Sequence, residues 1–185
     1  KRCKRWAMGI VLGVASLVLA ACGGVPQTAA VSEAPFYTVR DSVGRDVVLA
    51  KQPKRVVLLT SSFVNMMHAV GGDFVAWANS PSDVGAEAAR GKKTVGYTYQ
   101  VDMEALLREE PDLVIGLPGL HSRLQQPLQE NRIPFLLLSL SNFEQIKRAV
   151  TILADVSGRR AEGQDLIAGM ERDMAETAAA LPKEA

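Results

Sequence analysis

Thiols are almost missing from this chain. Both cysteines, Cys3 and Cys22, fall near the start, so everything after Cys22 can form neither a disulfide nor a thiolate metal site. Histidine is equally scarce. His68 and His121 are the only two, and they offer no cluster that would suit zinc. The glycine-rich phosphate motifs are absent too: no Gly-x-Gly-x-x-Gly and no P-loop follows the first long apolar strand. Ser61 lacks the Gly-x-Ser-x-Gly setting of a hydrolase nucleophile, and the sequence puts no His or Asp beside it. Nor is there a basic excess of the kind nucleic acid requires, with 21 Lys plus Arg against 20 Asp plus Glu. The uncharged run Trp6 to Ala21 is shorter than the roughly 20 residues that span a bilayer.

The start of the chain is where its charge and hydropathy are most organised. Lys1, Arg2, Lys4 and Arg5 precede the apolar run, which ends in Leu19-Ala20-Ala21-Cys22 and then Gly23-Gly24. A basic head, a short apolar middle and small residues before a cut site make a secretory leader, expected over 1–21. The tetrapeptide ending at Cys22 resembles a lipobox, which implies that Cys22 becomes the lipidated first residue of the mature protein. Several acyl chains hold a protein on a membrane far more firmly than one. With the leader gone, 17 basic residues face 20 acidic ones, a formal net of −3. Lys rather than Met stands first, so a start residue is expected upstream.

Residues 22–35 are small, polar and Pro-containing, and read as a tether. Phe36 to Asp41 and Asp46 to Leu49 form a predicted hairpin turned at Gly44. A repeated rhythm follows. Arg55 to Leu59, Phe74 to Ala78, Thr94-Val95, Asp112 to Ile115 and Pro134 to Leu138 read as strands. Between them, Phe63, Met66, Met67 and Val70 fall at helical spacing, Asp102 caps a short helix, and His121 to Asn131 and Asn142 to Gly158 read as helices. The predicted class is α/β: a parallel sheet with helices on both faces, a Rossmann-like lobe preceded by a β-hairpin and followed by a long helix. The domain spans 36–158. Residues 159–185 form the long helix, about 30 Å by its rise per residue, weakened modestly by Gly163 and Gly169. Ligands of such sheets sit beyond the carboxyl ends of the strands. Attention therefore falls on Thr60-Ser61-Ser62, on Gly96 to Tyr99 and on Leu117 to Arg123.

Three stretches, taken together, resemble the periplasmic binding proteins of iron–siderophore, haem and cobalamin ABC importers. One is Asp41-Ser42-Val43-Gly44-Arg45-Asp46-Val47 with Pro53-Lys54-Arg55-Val56-Val57. The second runs from Val95-Gly96-Tyr97 through Asp102-Met103-Glu104 to Glu110-Pro111-Asp112-Leu113-Val114-Ile115-Gly116. The third is Ile133-Pro134-Phe135, then Phe143-Glu144-Gln145-Ile146 and Ser157-Gly158. The resemblance covers Tyr37 to about Leu181. It implies a two-lobed protein of which this chain holds the first lobe and the joining helix, with the second lobe missing. Many relatives carry a Glu in the first helix of the lobe, where this sequence has Asn65.

Residue roles follow partly from this resemblance and partly from position at the carboxyl ends of the strands. Glu104 is expected to dock on the ABC permease; its bland alternative is a partner for its helix dipole. Thr60, Ser61, Ser62, Tyr97, Tyr99, His121 and Arg123 are expected to line the ligand cleft. In the haem-binding branch a tyrosine after a Val-Gly turn can ligate iron, which makes Tyr97 the residue to test. A phenolate is a hard donor suited to ferric iron, provided the metal displaces its proton. For His121 and Arg123 the competing reading is a solvated helix entry, and His68 reads as a surface residue. No resident cofactor is expected, and the metal belongs to the cargo, a ferric siderophore, haem or cobalamin-type complex. The expected partners are an ABC permease and the lipid-anchored membrane, not nucleic acid, and the expected location is extracytoplasmic. The rival class is a lipid-anchored enzyme on a doubly wound fold, since fold does not fix function.

Overall fold

The structure, a computed structural model, describes residues 34–81 and 87–181. The expected leader, the lipidation site Cys22 and the tether up to residue 33 lie outside the described residues. Strands β1 (Tyr37–Arg40) and β2 (Asp46–Leu49) form the antiparallel hairpin. Its turn is built by Asp41, which is almost fully buried. One carboxylate oxygen accepts from the Val43 and Arg45 N–H groups, and the other receives the Arg45 guanidinium at 2.5 Å. Gly44 takes the left-handed conformation this turn needs (φ +82). The motif that opens the resemblance is thus a self-capped turn.

The main sheet contains β3 (Val56–Leu58), β4 (Ala76–Asn79), β5 (Lys93–Tyr97), β6 (Gln100–Val101), β7 (Leu113–Gly116) and β8 (Phe135–Leu137). Their spatial order is β6-β5-β4-β3-β7-β8, all parallel except β6, which folds back antiparallel on β5. Successive strand residues point to opposite faces. Val56 and Leu58, Trp77, Leu113 and Ile115, and Leu136 and Leu138 enter one core. Val57 and Leu59, Ala76 and Ala78, Val114, and Phe135 and Leu137 enter the other. Helices α1 (Ser61–Ala69) and α4 (Phe143–Ser157) cover the first face, and α2 (Met103–Arg108) and α3 (Gln125–Glu130) the second. Both faces must be apolar, which is why the strands read as continuous hydrophobic runs.

Caps fix the helix starts. Thr60, Asp102 and Asn142 each accept a backbone N–H three residues on. Gly158 ends α4 in the left-handed conformation (φ +71). Helix α5 (Arg160–Ala180) then packs against α4. Asp112 serves the opposite, amino-end edge of the sheet, where its carboxylate accepts the Lys54 and Arg55 N–H groups at 2.8 Å each and anchors the entry to β3.

Three expectations need correction. Thr94-Val95 is the middle of a longer strand that turns into β6, a strand absent from the sequence reading. The helix expected over His121 to Asn131 is a 3-10 turn, Ser122–Leu124, followed by the short α3. The strand expected from Phe74 starts at Ala76, because Phe74 enters the core ahead of the ladder.

Candidate ligand-binding site

The chain winds from β3 outward through β4 to β5, then returns to place β7 on the other side of β3. The topological switch point therefore lies between β3 and β7. In open α/β sheets the crevice outside the strands' carboxyl ends at this point receives ligands. Thr60 leads out of β3 there, and Leu117 leads out of β7. Thr60 is buried and spent as the cap of α1, with its Oγ1 3.3 Å from the Phe63 nitrogen. Ser61 is half-buried and Ser62 exposed at the first turn of that helix.

The β5–β6 turn borders the same edge. Tyr97 pairs with Gln100 across it, leaving Thr98-Tyr99 as a two-residue loop. Gly96 makes this reversal possible: its φ is +93, and a Cβ there would lie 2.6 Å from the Gln100 carbonyl oxygen. Tyr97 and Tyr99 are 55% and 67% exposed. The loop beneath their rings is held from several sides. The Thr98 N–H donates to the Asn79 carbonyl at 2.8 Å, and the Thr98 hydroxyl donates to the same carbonyl at 3.2 Å. Arg123 Nη2 donates to the Tyr99 carbonyl at 2.8 Å.

His121 holds it from below. The sequence offers this residue as a cleft contact or a solvated helix entry; it is fully buried, which corrects both readings, since the ring reaches neither a ligand surface nor solvent. Its Nδ1 lies 2.9 Å from the Leu117 nitrogen and its Nε2 lies 2.9 Å from the Thr98 carbonyl oxygen. An N–H can only donate and a carbonyl can only accept, so Nδ1 is the acceptor and Nε2 carries the proton. Burial is the main cause that depresses the imidazole pKa, the neighbouring Arg123 charge adds to it, and the bond to Thr98 opposes both.

Other groups at this edge carried no sequence signal. Asn79 ends β4 beside Tyr97, and its Oδ1 is buried without a hydrogen-bond partner among the described residues. Ser139 and Ser141 follow β8, both bonded to Gln145, and the Ser139 N–H donates to Ser42 Oγ of the hairpin turn at 2.8 Å. Glu104 sits in the first turn of α2 with its side chain 91% exposed and 4.0 Å from Arg108. His68 is exposed, as expected. A groove of about 480 Å³ between β2 and α3 is lined by Arg45, Val48, Gln129 and Arg132, but it lies along the sheet edge rather than at the strands' carboxyl ends. Among the described residues, no three His, Cys, Asp or Glu side chains come together to hold a metal ion.

A family model described as Periplasmic binding protein matches residues 56–185. The chain is 26% identical over 176 residues to the Probable siderophore-binding lipoprotein YfiY of Bacillus subtilis (strain 168), covering 91% of this chain and 54% of that protein. It is 24% identical over 185 residues to the Uncharacterized ABC transporter substrate-binding lipoprotein YvrC of the same organism, covering 94% and 57%. The chain thus spans about half the length of the curated relatives it matches. Among solved structures, the iron uptake ABC transporter substrate-binding protein PiuA of Streptococcus pneumoniae superposes with a TM-score of 0.69 at 22% identity, over 79% of this chain and 53% of that one. At that identity the superposition speaks to the fold.

Proposed function

Because the chain belongs to the periplasmic binding protein family, we propose that it is the solute-binding component of an ABC importer, working outside the cytoplasmic membrane on a metal chelate of the ferric-siderophore, haem or cobalamin kind. The observation that carries this reading is the convergence of loops at the carboxyl edge of the sheet, where two exposed tyrosines stand on a turn fixed by several hydrogen bonds. Flat aromatic walls give contact area to large chelates at low entropic cost. The first relative's name, a siderophore-binding lipoprotein, agrees with an iron-chelate cargo. The role asks for capture and release, with no bond made or broken by the protein. Lipidation of Cys22 would keep the protein at the membrane, and Glu104 would meet the permease.

Titration of the full-length protein with ferric siderophores, haem and cobalamin, followed by calorimetry, tests the cargo. At least one is expected to bind at micromolar concentration. Binding of a sugar, an amino acid or a bare metal ion in place of all three would overturn the assignment. With haem bound, Tyr97→Ala is expected to change the absorption spectrum, and an unchanged spectrum excludes Tyr97 as the axial ligand. Cell fractionation tests the anchor: Cys22→Ala is expected to move the protein from membranes to the soluble exported fraction.

A further inference from the structure

Strands β4 and β3 lie between β5 and β7 in the sheet, so no ladder joins the β5–β6 turn to the loop after β7. Side chains make that connection, and His121 is the buried one. We propose that His121 is a positioning residue that ties the tyrosine-bearing turn to the loop after β7, so that Tyr97 and Tyr99 are held in one position while the ring is neutral and shift, still tied, when a proton breaks the ring's hold on its own loop. This rests on the reading of the carboxyl edge as the ligand face.

Three observations converge on it. The ring bridges two loops from opposite sides of the switch point, Leu117 through Nδ1 and Thr98 through Nε2. Its seat is cut to fit: a Cβ at Gly116 would come within 3.0 Å of His121 Cβ and 3.1 Å of Nδ1. Side chains that touch so closely need glycine opposite, which gives the Gly after Pro-Asp-Leu-Val-Ile a physical role. The third is Arg123, which ties the next carbonyl of the same turn. His121 and Arg123 therefore grip consecutive carbonyls, those of Thr98 and Tyr99.

Protonation acts at one definable atom. The added proton goes to Nδ1, whose lone pair now accepts from the Leu117 N–H. Two donors would then face each other, and that half of the clip opens while the Thr98 bond survives. The Arg123 charge, on the same loop, works against a second positive charge on the ring. The turn presents Thr98 and the end of β7 presents Gly116, neither of which titrates.

The test needs no ligand. Nitrogen-15 histidine and fluorotyrosine labels report on the ring and the turn, and single changes at His68, His121, Tyr37, Tyr97 and Tyr99 assign their lines. In the ligand-free full-length protein at neutral pH, His121 is expected as the Nε2–H tautomer. On acidification the Tyr97 and Tyr99 fluorine lines are expected to shift with the His121 midpoint, while the Tyr37 line does not follow it. His121→Gln keeps an amide donor and an amide acceptor but takes up no proton in this range. It is expected to hold the neutral-pH line positions on acidification and to lose the shared midpoint. Tyrosine lines that stay fixed while His121 titrates overturn the proposal, and the wild-type titration gives that answer even if the variant does not fold. A protein whose tyrosines follow His121 but which binds none of the chelates keeps the clip and loses the cargo assignment.

Discussion

His121 shows how far a single residue's chemistry can hide from sequence. Its neighbours Pro118-Gly119 suggest an exposed loop entering a helix, yet the side chain is fully buried and both ring nitrogens are engaged. The neutral ring fits the fold better than the charged one, because burial depresses its pKa below the ordinary value. The sign of the pH effect follows. Well above the ordinary histidine pKa of about 6.5 neither the folded nor the unfolded chain protonates this site appreciably, and its contribution to stability is fully present. As pH falls below that, the unfolded chain takes the proton first and stability is lost, until pH passes the depressed folded value. Denaturant midpoints at about pH 7.5 and about pH 5 should therefore fall further apart for the wild type than for His121→Gln. Equal losses in the two proteins would mean that other groups govern the acid limb.

Local rules made most site neighbours legible, and tertiary placement hid the rest. Thr60, Asp102 and Asn142 are caps by residue type, and Gly44 and Gly158 are turn residues by the same logic. Tyr97 and Tyr99 were readable as loop residues because Gly96 marks the reversal. Asn79, Ser139 and Ser141 were not, since nothing local distinguishes a polar residue at the end of a central strand from any other. Their relevance comes from strand order, which one sequence does not print.

At the scale of elements, the hairpin, α4 and α5 meet at Asp155. Arg160 Nε donates to Asp155 Oδ1 at 2.7 Å, and the Tyr37 phenol bonds to the same side chain. Burial above all, then the Asp155 bond, pushes the Tyr37 phenol up to about 12. The neutral phenol is thus the form the fold favours, and its contribution fades as pH rises from about 10 toward about 12. Gly163 contributes at the same joint. From sequence it only weakened α5, but a Cβ there would lie 2.4 Å from Ala154 Cβ, so it lets the two helices approach closely. Gly169 has no such contact. Asp155→Ala removes the acceptor shared by the hairpin and α5. A hydrogen bond to a charged group is worth about 1.5–3 kcal/mol, and the exposed Arg160 keeps the loss toward the lower figure. A drop of about 1.5–2 kcal/mol in urea unfolding is expected on that basis. A change below about 0.5 kcal/mol, the usual range for surface substitutions, would mean that α4 and α5 are held by their apolar contacts alone.

The candidate docking residue differs from the candidate ligand residues in how it is held, and that difference can be tested at the scale of the whole protein. The tyrosines, Thr60 and the His121 clip lie at the carboxyl ends of the strands, whereas Glu104 is exposed in the first turn of α2. Asp102 already caps that helix, so Glu104 is not needed as the cap. Its pairing with Arg108 is long and fully solvated, and exposed pairs of this kind contribute little to stability. A carboxylate placed so freely is suited to meeting a cation on another protein, where rim charges govern encounter and register more than intrinsic affinity. Glu104→Arg in the full-length protein is therefore expected to leave folding and chelate affinity within about twofold of wild type. Cellular uptake of the same chelate should fall about tenfold or more, as like charges across a docking interface cost several kcal/mol. The charge reversal also faces the helix amino end, an effect of about 0.3–1 kcal/mol that a melting curve would register separately. Uptake that falls only in proportion to lost binding would assign Glu104 to the capture of ligand, and unchanged uptake would leave it as a solvated first-turn residue.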